Sequence, residues 1–186
     1  ENTLYYATVC KCGHVVEKEE INTANPVEVG TAEDLSTVLN SGLVSNVVLA
    51  DNITVDAPLV LADNTNVTIN MNGKEISYTK EVTVVDEAVE IFWVKDGATL
   101  TIKGNGTFIV EANGEVDYYA GVVSATDRGT INIENGTFTS NGCTAIYATR
   151  GGIVNISGGR YEATEKYNGL LFTLDVDESA DVLGVI

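Results

Sequence analysis

Three stretches of this chain repeat one pattern almost end to end, and this repeat constrains the fold more than any other feature. They read GATLTIKGNGTF at residues 97–108, GTINIENGTF at 129–138 and GIVNISGGRY at 152–161. In each stretch apolar residues alternate with polar ones, a glycine-containing turn follows, and an aromatic residue begins the next short strand. Repeats of short strands and Gly/Asn turns at this spacing predict a β-solenoid, in which successive coils stack on one another.

The alignment of the three stretches predicts which residues stack in successive coils. The predicted stacks are Ile102 with Ile133 and Ile156, Gly106 with Gly136 and Gly159, and Phe108 with Phe138 and Tyr161. Equivalent residues are 30 or 31 positions apart between the first and second stretches and 23 apart between the second and third. We therefore place an insertion of about seven residues within 111–119. The predicted core of the coils comprises Leu100, Ile102, Phe108, Ile131, Ile133, Phe138, Val154, Ile156 and Tyr161.

The first 28 residues form a separate unit ahead of the repeats. Residues 4–10 have the aromatic and β-branched content of a strand, and a second strand is expected at 14–17 after the turn at 11–13. This pattern predicts a small β-hairpin. We interpret residues 1–28 as an attachment segment and residues 29–186 as the β-solenoid.

A short helix is predicted at residues 31–41, immediately before the first coil. Thr31 places a capping hydroxyl three residues ahead of Asp34, and Gly42 is suited to end the helix. One face of the helix is apolar, through Leu35, Val38 and Leu39. We expect this face to cover the end of the first coil, which would otherwise be an exposed sheet edge.

The net charge argues against two classes of partner. Ten basic residues stand against 27 acidic ones, which gives a net charge of −17 at pH 7. Such a surface repels phosphate backbones and anionic lipid head groups, so we predict neither nucleic-acid nor membrane binding. No apolar run approaches the roughly 20 residues that span a bilayer, and no signal peptide is visible.

The segments around the predicted capping helix resemble the opening of a known family. They are residues 31–35 (TAEDL), 47–61 (VVLADNITVDAPLVL) and 66–76 (NVTINMNGKEI). Together with the later repeats they resemble the pectate-lyase-like right-handed parallel β-helices, over roughly residues 29–186. The resemblance implies an all-β fold, a right-handed parallel β-helix with a capping helix. The same modules occur in polysaccharide lyases, bacterial surface adhesins, and phage tailspikes and head fibres. Residues 72–76 look most like the modules of gut-bacterial surface proteins and of the virion proteins of their phages.

An enzyme on this fold would need a cluster of catalytic groups in one groove. The basic candidates are Arg128, Arg150 and Arg160, with Asp127 and Glu162 close in sequence. Because Asp127 and Arg150 precede equivalent glycines, they are expected at one edge of adjacent coils, where a surface ion pair of little energetic value is the simpler interpretation. No catalytic motif of the family matches residue by residue, so we predict no catalytic residue.

Cys10, Cys12 and His14 form the candidate metal site. Their spacing puts three good Zn²⁺ ligands together and resembles half of a zinc-ribbon knuckle, so a structural zinc is a hypothesis. The alternative is a hairpin with one exposed histidine. Cysteines two apart rarely close a disulfide, and we expect Cys10, Cys12 and a buried Cys143 to be unpaired thiols, typical of a reducing compartment.

Three aromatic residues are candidates for contact with a glycan or another partner. Trp93, Tyr118 and Tyr119 lie in or near the segments that interrupt the repeat, and insertions in solenoids often line the binding face. They are predicted to form an exposed platform. The alternative is that they pack under the inserted loop.

These observations predict a non-enzymatic protein of a surface appendage. The first interpretation is a phage virion component on the virion surface: a head fibre, a capsid decoration protein or a tailspike-like domain. The sequence ends on an uncapped apolar segment, Val182–Ile186, which would need a partner, a neighbouring subunit or a further C-terminal segment to cover it. We expect a homo-oligomer, with a trimer as the favoured form. Residues 1–28 would bind other virion or cell-surface proteins. The alternatives are a bacterial cell-surface adhesin and a polysaccharide lyase or hydrolase.

Overall fold

The computed structural model describes residues 4–22, 25–83, 89–114, 121–164, 171–174 and 181–184 of the 186-residue chain. These residues form 19 strands and one helix. In chain order the elements are β1 (Tyr5–Val9), β2 (Val15–Glu20), β3 (Val27–Val29), α1 (Ala32–Ser41), β4 (Asn46–Leu49), β5 (Ile53–Val55), β6 (Leu59–Val60), β7 (Asn66–Asn70), β8 (Glu75–Val82), β9 (Phe92–Val94), β10 (Thr99–Lys103), β11 (Thr107–Gly114), β12 (Gly121–Ala125), β13 (Thr130–Ile133), β14 (Thr137–Asn141), β15 (Thr144–Thr149), β16 (Ile153–Ile156), β17 (Arg160–Thr164), β18 (Leu171–Leu174) and β19 (Asp181–Gly184).

After the hairpin, the strands recur in a cycle of three. Sheet I contains β3, β4, β7, β10, β13, β16 and β19; sheet II contains β5, β8, β11, β14 and β17; sheet III contains β6, β9, β12, β15 and β18. From β4 onward, each strand pairs in parallel with the strand three places later. The chain therefore visits sheets I, II and III in turn, and we call one such run of three strands a coil. This all-β architecture is consistent with a parallel β-helix.

The predicted stacks of equivalent residues are confirmed by the strand register. Ile102 pairs with Ile133, which pairs with Ile156, along sheet I. On sheet II, Phe108 pairs with Phe138 in the same way, and Phe138 with Tyr161. The equivalent glycines occupy matching turns, since the carbonyls of Gly106 and Gly136 accept hydrogen bonds from the next coil, from Thr137 and Arg160.

The apolar side chains that alternate along the strands form one core between the sheets. Seven of the nine predicted core residues are fully buried: Leu100, Ile102, Phe108, Ile131, Ile133, Phe138 and Val154. Ile156 and Tyr161 are partly buried and pack against this core. Tyr161 lies on β17, the edge strand of sheet II, and the register partner of Ile156 on β19 is Gly184. An edge position and a glycine neighbour each leave one side of the stack less covered.

The capping helix is confirmed, with the predicted ends. Thr31 Oγ1 accepts a hydrogen bond from the Asp34 amide at 3.1 Å and donates to Asp34 Oδ2 at 2.8 Å. Gly42 has the left-handed conformation, with φ of 67°, which glycine adopts without a Cβ clash. The apolar face is buried through Leu35, Val38 and Leu39. The helix packs against β5 and β6 of the first coil. No helix in the described ranges is long and apolar enough to cross a membrane.

The N-terminal hairpin is also confirmed, but its boundary with the coils differs from the prediction. β1 and β2 pair antiparallel, and the Ile21 amide donates to the Leu4 carbonyl at the base. Leu4 and Ile21 pack partly buried against the core. Val27 and Val29 are buried on β3, which pairs in parallel with β4 in sheet I. The predicted boundary after residue 28 therefore falls inside a strand of the first sheet.

Candidate functional site

The hairpin carries an exposed apolar surface. Among the described residues, the exposed large hydrophobic side chains are those of Tyr5, Val9, Val15 and Val16, with exposures of 40%, 52%, 56% and 69%. All six residues of β2 are exposed, so the hairpin has no core of its own. Val9 and Val15 are register partners, which places their exposed side chains next to each other beside the turn. We call Tyr5, Val9, Val15 and Val16 the hairpin patch.

The turn of the hairpin contains a disulfide between Cys10 and Cys12, with their Cα atoms 5.2 Å apart. The expectation that these two cysteines are unpaired thiols is therefore wrong. They belong to a tight turn, in which the Cys10 amide donates to the His14 carbonyl and the Gly13 amide to the Cys10 carbonyl. The turn bends the chain across Lys11, so the two side chains face each other instead of pointing from an extended strand.

The zinc hypothesis at Cys10, Cys12 and His14 concerns the reduced chain. In the disulfide form the two sulfurs are bonded to each other and are not the thiolates that zinc requires. His14 Nδ1 lies 4.0 Å from Cys12 Sγ, so reduction would leave three potential ligands around one turn. Within the part of the chain that the structure describes, no group of three or more His, Cys, Asp or Glu side chains is arranged to hold a metal ion.

Trp93 is fixed against the neighbouring coil. It is half-buried, and its Nε1 donates to Thr126 Oγ1 at 2.9 Å. The Lys95 ammonium lies 5.0 Å from the centre of its ring, within the range of a cation–π contact. Tyr118 and Tyr119 lie outside the described residues. The aromatic platform therefore remains a prediction, with Trp93 as its described member.

The candidate catalytic arginines form local ion pairs. Arg150 Nη2 lies 2.8 Å from Asp127 Oδ2, an exposed pair between adjacent coils as the sequence predicts. Arg160 binds Glu162 on its own strand, and its Nε donates to Glu162 Oε1 at 2.9 Å. Arg128 is exposed in the same turn as Asp127. In these pairs the carboxylates neutralise the arginines locally, at the surface of the coils.

Glu90 is a buried acid that was not among the predicted site residues. It is 4% exposed, and Ser124 Oγ donates to its Oε2 at 3.4 Å. Burial raises the pKa of Glu90 to about 7, although the hydrogen bond from Ser124 lowers it. A single acidic residue in the apolar run of residues 89–92 (VEIF) is the sequence signal that indicates this burial. Perturbed acids of this kind occur both at catalytic sites and in structural cores.

Cys143 lies close enough to Glu90 for the two groups to interact electrostatically. Burial, together with smaller contributions from the negative charges of Glu90 and Glu111, raises the pKa of the Cys143 thiol to about 12. The thiol is therefore protonated at neutral pH and is a poor nucleophile. The expected role of Cys143 as a small buried residue is confirmed, since it is 5% exposed. Near pH 7 the Cys143 thiol is therefore protonated, whereas Glu90 is divided between its protonated and ionised forms.

A groove of about 470 Å³ lies between the capping helix and the first coil. Its lining residues are Ala32, Glu33, Ser36, Thr37, Thr54, Val55, Asp56, Ala57, Pro58 and Leu59. Glu33 and Asp56 make its rim acidic. This charge disfavours anionic ligands such as phosphates or uronic acids.

Polar side chains on the coil surface bond to one another in ladders. Asn155 Nδ2 donates to Asn132 Oδ1 at 2.8 Å, and Asn132 Nδ2 donates to Thr101 Oγ1 at 3.3 Å. A second ladder joins Asn135 to Asn105 at 2.9 Å. These groups satisfy each other along the direction in which the coils stack.

Comparison with known proteins adds no relative to this description. No protein-family model, curated protein or solved structure matches the chain. The strand topology alone therefore shows the architecture of the chain. Two surfaces differ most in character: the apolar hairpin patch and the polar, hydrogen-bonded ladders of the coils.

Proposed function

We propose that this chain is a non-enzymatic, surface-display protein whose hairpin attaches it to a larger assembly. The hairpin patch carries the proposal, because the exposed large hydrophobic side chains of the described residues are all concentrated there. Exposed apolar patches mark sites of protein association. The assembly we favour is a phage particle, on which the chain would be a head fibre, a decoration protein or a tailspike-like domain.

The geometry of the hairpin supports attachment. A two-stranded hairpin is marginally stable in water, and both of its strands are edges that can pair with another chain. Here it is tied to the core at its base by Leu4 and Ile21 and extends from there with all of β2 exposed. Burying Val9, Val15 and Val16 on a partner would remove this apolar surface from water.

The coil surface supports display. Its Asn and Thr side chains bond to one another in ladders, and two of its arginines, Arg150 and Arg160, form local ion pairs with Asp127 and Glu162. A net charge of −17 favours solubility and discourages non-specific association between the coil surfaces of different molecules. Host glycans are the ligands we propose for it, with Trp93 as the described aromatic contact.

The proposal extends to the handedness of the β-helix, its family and its oligomeric state. We infer a right-handed, pectate-lyase-like β-helix from the resemblance of residues 31–76, and the parallel, three-sheet topology supports it. We further infer a homo-oligomer, with a trimer as the favoured form, because fibres and spikes are closed symmetric assemblies.

One observation favours an enzyme as the second candidate. The pKa of Glu90 is raised to about 7, a value suited to a general acid in glycoside hydrolysis. Glu90 is 4% exposed, however, so it is screened from a polysaccharide. A bacterial cell-surface adhesin is compatible with the same hairpin and coil surfaces as the virion protein.

Immunogold electron microscopy tests the proposed location. Antibodies against the purified chain would be applied to phage particles and to bacterial cells from the same culture. Gold on the particles is the expected result. Gold on cells alone would overturn the virion assignment in favour of the adhesin, and gold on neither would overturn surface display altogether.

A pair of variants tests the role of the hairpin patch. Val16→Asp places a charge in the patch, whereas Thr79→Asp makes the same kind of change at an exposed position of β8. If the hairpin attaches the chain, particles assembled with the Val16 variant carry less of it than particles assembled with the Thr79 variant. Equal incorporation would contradict attachment through the hairpin.

A further inference from the structure

The hairpin turn holds a disulfide that its backbone does not need. Two backbone hydrogen bonds of 2.9 Å, from the Cys10 amide to His14 and from the Gly13 amide to Cys10, already close the turn. A disulfide stabilises a fold mainly by restricting the unfolded chain, and this effect decreases as the enclosed loop becomes shorter. The Cys10–Cys12 loop contains a single intervening residue, Lys11, so its stabilising effect is minimal. The disulfide at this turn is therefore better explained by a chemical role than by a stabilising one.

The two sulfurs are not equivalent. Cys12 is exposed at the turn, whereas Cys10 is partly buried. The Cys12 amide donates a hydrogen bond to Cys10 Sγ at 3.3 Å. If an external sulfur bonds to Cys12, the charge that develops on Cys10 faces this N–H group, and hydrogen bonds to ionised sulfur are the stronger kind. The arrangement thus favours attack at Cys12 and departure of Cys10.

The surroundings of the turn also favour an incoming thiolate. Lys11 lies between the two cysteines and is exposed, which places a positive charge at the turn of a strongly acidic protein. Val9 and Val15 of the hairpin patch flank the turn on the two strands. A protein that buries these valines would bring its own side chains next to Cys12.

We propose that Cys10 and Cys12 form a thiol–disulfide exchange site, which accepts a cysteine thiol of the attached partner as a mixed disulfide. The incoming sulfur forms a bond to Cys12 Sγ, the Cys10–Cys12 bond breaks, and Cys10 leaves as a thiolate. The proton lost by the incoming thiol passes through solvent to Cys10. One disulfide is consumed and one is formed, so no external oxidant or reductant is needed.

This inference deepens the proposed attachment role and rests on it for the identity of the partner. A low-mass thiol has the same chemistry as a protein cysteine, so the experiment uses both. The oxidised full-length chain is incubated with glutathione or with a peptide that contains one cysteine between apolar residues. Adducts are trapped by acid and alkylation and mapped by mass spectrometry. The Cys143→Ala variant keeps the site, whereas the Cys10→Ser/Cys12→Ser variant removes it.

The expected result is an adduct on Cys12 in the wild type and in Cys143→Ala, and none in the double serine variant. The peptide is expected to react more than glutathione, by about tenfold, because apolar docking on the hairpin patch raises its local concentration. Val15→Asp is expected to abolish this preference. Equal reaction of the two probes would overturn a protein cysteine as the natural thiol.

Two results would overturn the exchange site itself. In the first, the disulfide of the folded chain resists both probes while that of the urea-unfolded chain reacts. In the second, reduction lowers the melting temperature of the coils in circular dichroism, which would make the disulfide structural. Because these measurements use the isolated chain, a negative result leaves the labelling of phage particles as an independent test of the proposed function.

Discussion

Phe108 and Phe138 stack on each other in adjacent coils, with ring centroids 4.6 Å apart and ring planes 12° from parallel. Tyr161 continues the stack at 5.2 Å from Phe138. The three rings come from the same position of three successive repeats, so the parallel register itself brings them together. Stacked aromatic pairs add to the stabilisation that comes from burial alone.

The central ring of this stack is predicted to be the most sensitive to truncation. Phe138→Ala removes a fully buried ring with aromatic neighbours on both sides, and is expected to lower the free energy of unfolding by about 3 to 5 kcal/mol. Tyr161→Phe is the matched control, because it keeps the ring and removes only the hydroxyl, which donates to the Gly158 carbonyl. Urea titrations followed by circular dichroism measure both. A loss below about 1 kcal/mol for Phe138→Ala would contradict the stack.

Glu90 is predicted to make the stability of the fold depend on pH. Its pKa is about 7 in the folded protein against 4.5 for an unperturbed glutamate, so the folded state holds a proton that the unfolded state has lost between these values. Stability therefore falls as pH rises from about 4.5 to about 7 and is constant above this window. The total fall from this group is about 3 kcal/mol.

Glu90→Gln removes the titrating group while keeping the size of the side chain. The variant is expected to match the wild type in stability near pH 4 and to exceed it at pH 8. Glu134→Gln, at an exposed position of the coil, is the control and should leave the pH dependence unchanged. Unfolding titrations at a series of pH values give the comparison. A wild-type stability that stays constant across this window would show that Glu90 ionises without penalty.

Gly129 is predicted to tolerate no side chain. A Cβ at this position would lie 2.1 Å from the carbonyl oxygen of Val94 in the preceding coil, a backbone atom that cannot rotate away. Gly129→Ala is expected to cost about 2 kcal/mol or more. At Gly73 a Cβ meets nothing within 4 Å, but φ is +74°, so Gly73→Ala is expected to cost about 1 kcal/mol from backbone strain alone. Thermal unfolding measures the stability of both variants. A larger loss of stability for Gly73→Ala than for Gly129→Ala would contradict close packing at Gly129.

A variant of the Arg150–Asp127 pair distinguishes a structural role of the coil surface from a catalytic one. The pair is exposed, so Arg150→Ala is expected to change stability by less than about 1 kcal/mol. A display protein should cleave no member of a broad panel of acidic glycans, before or after this change. Cleavage by the wild type that Arg150→Ala or Arg128→Ala abolishes would instead establish the lyase or hydrolase.

Much of the fold could be predicted because the chain repeats itself. In a repeat, the spacing between equivalent residues reports which strands pair, even when they are 23 to 31 residues apart in sequence. The register of Ile102, Ile133 and Ile156 follows from that spacing and is confirmed. The capping helix was predictable for a different reason, since Thr31, Asp34 and Gly42 act on the backbone within a few residues.

The candidate sites were less predictable, because they depend on contacts that no local pattern reports. The two-residue spacing of Cys10 and Cys12 suits a strand with two thiols or a turn with a disulfide, and the hydrogen bonds from the Cys10 and Gly13 amides select the turn. The apolar run around Glu90 indicates burial, but the proximity of Ser124 arises from a strand more than 30 residues later.

The sequence by itself determined the elements of this protein that depend on near neighbours and on repetition: the hairpin, the capping helix, the short strands and the stack of Phe108, Phe138 and Tyr161. Only the tertiary structure decided the state of Cys10 and Cys12, the burial of Glu90 and the exposure of the hairpin patch. The physical reason is that protonation, ion pairing and solvent exposure depend on every group packed around a side chain, and most of those groups lie in other coils.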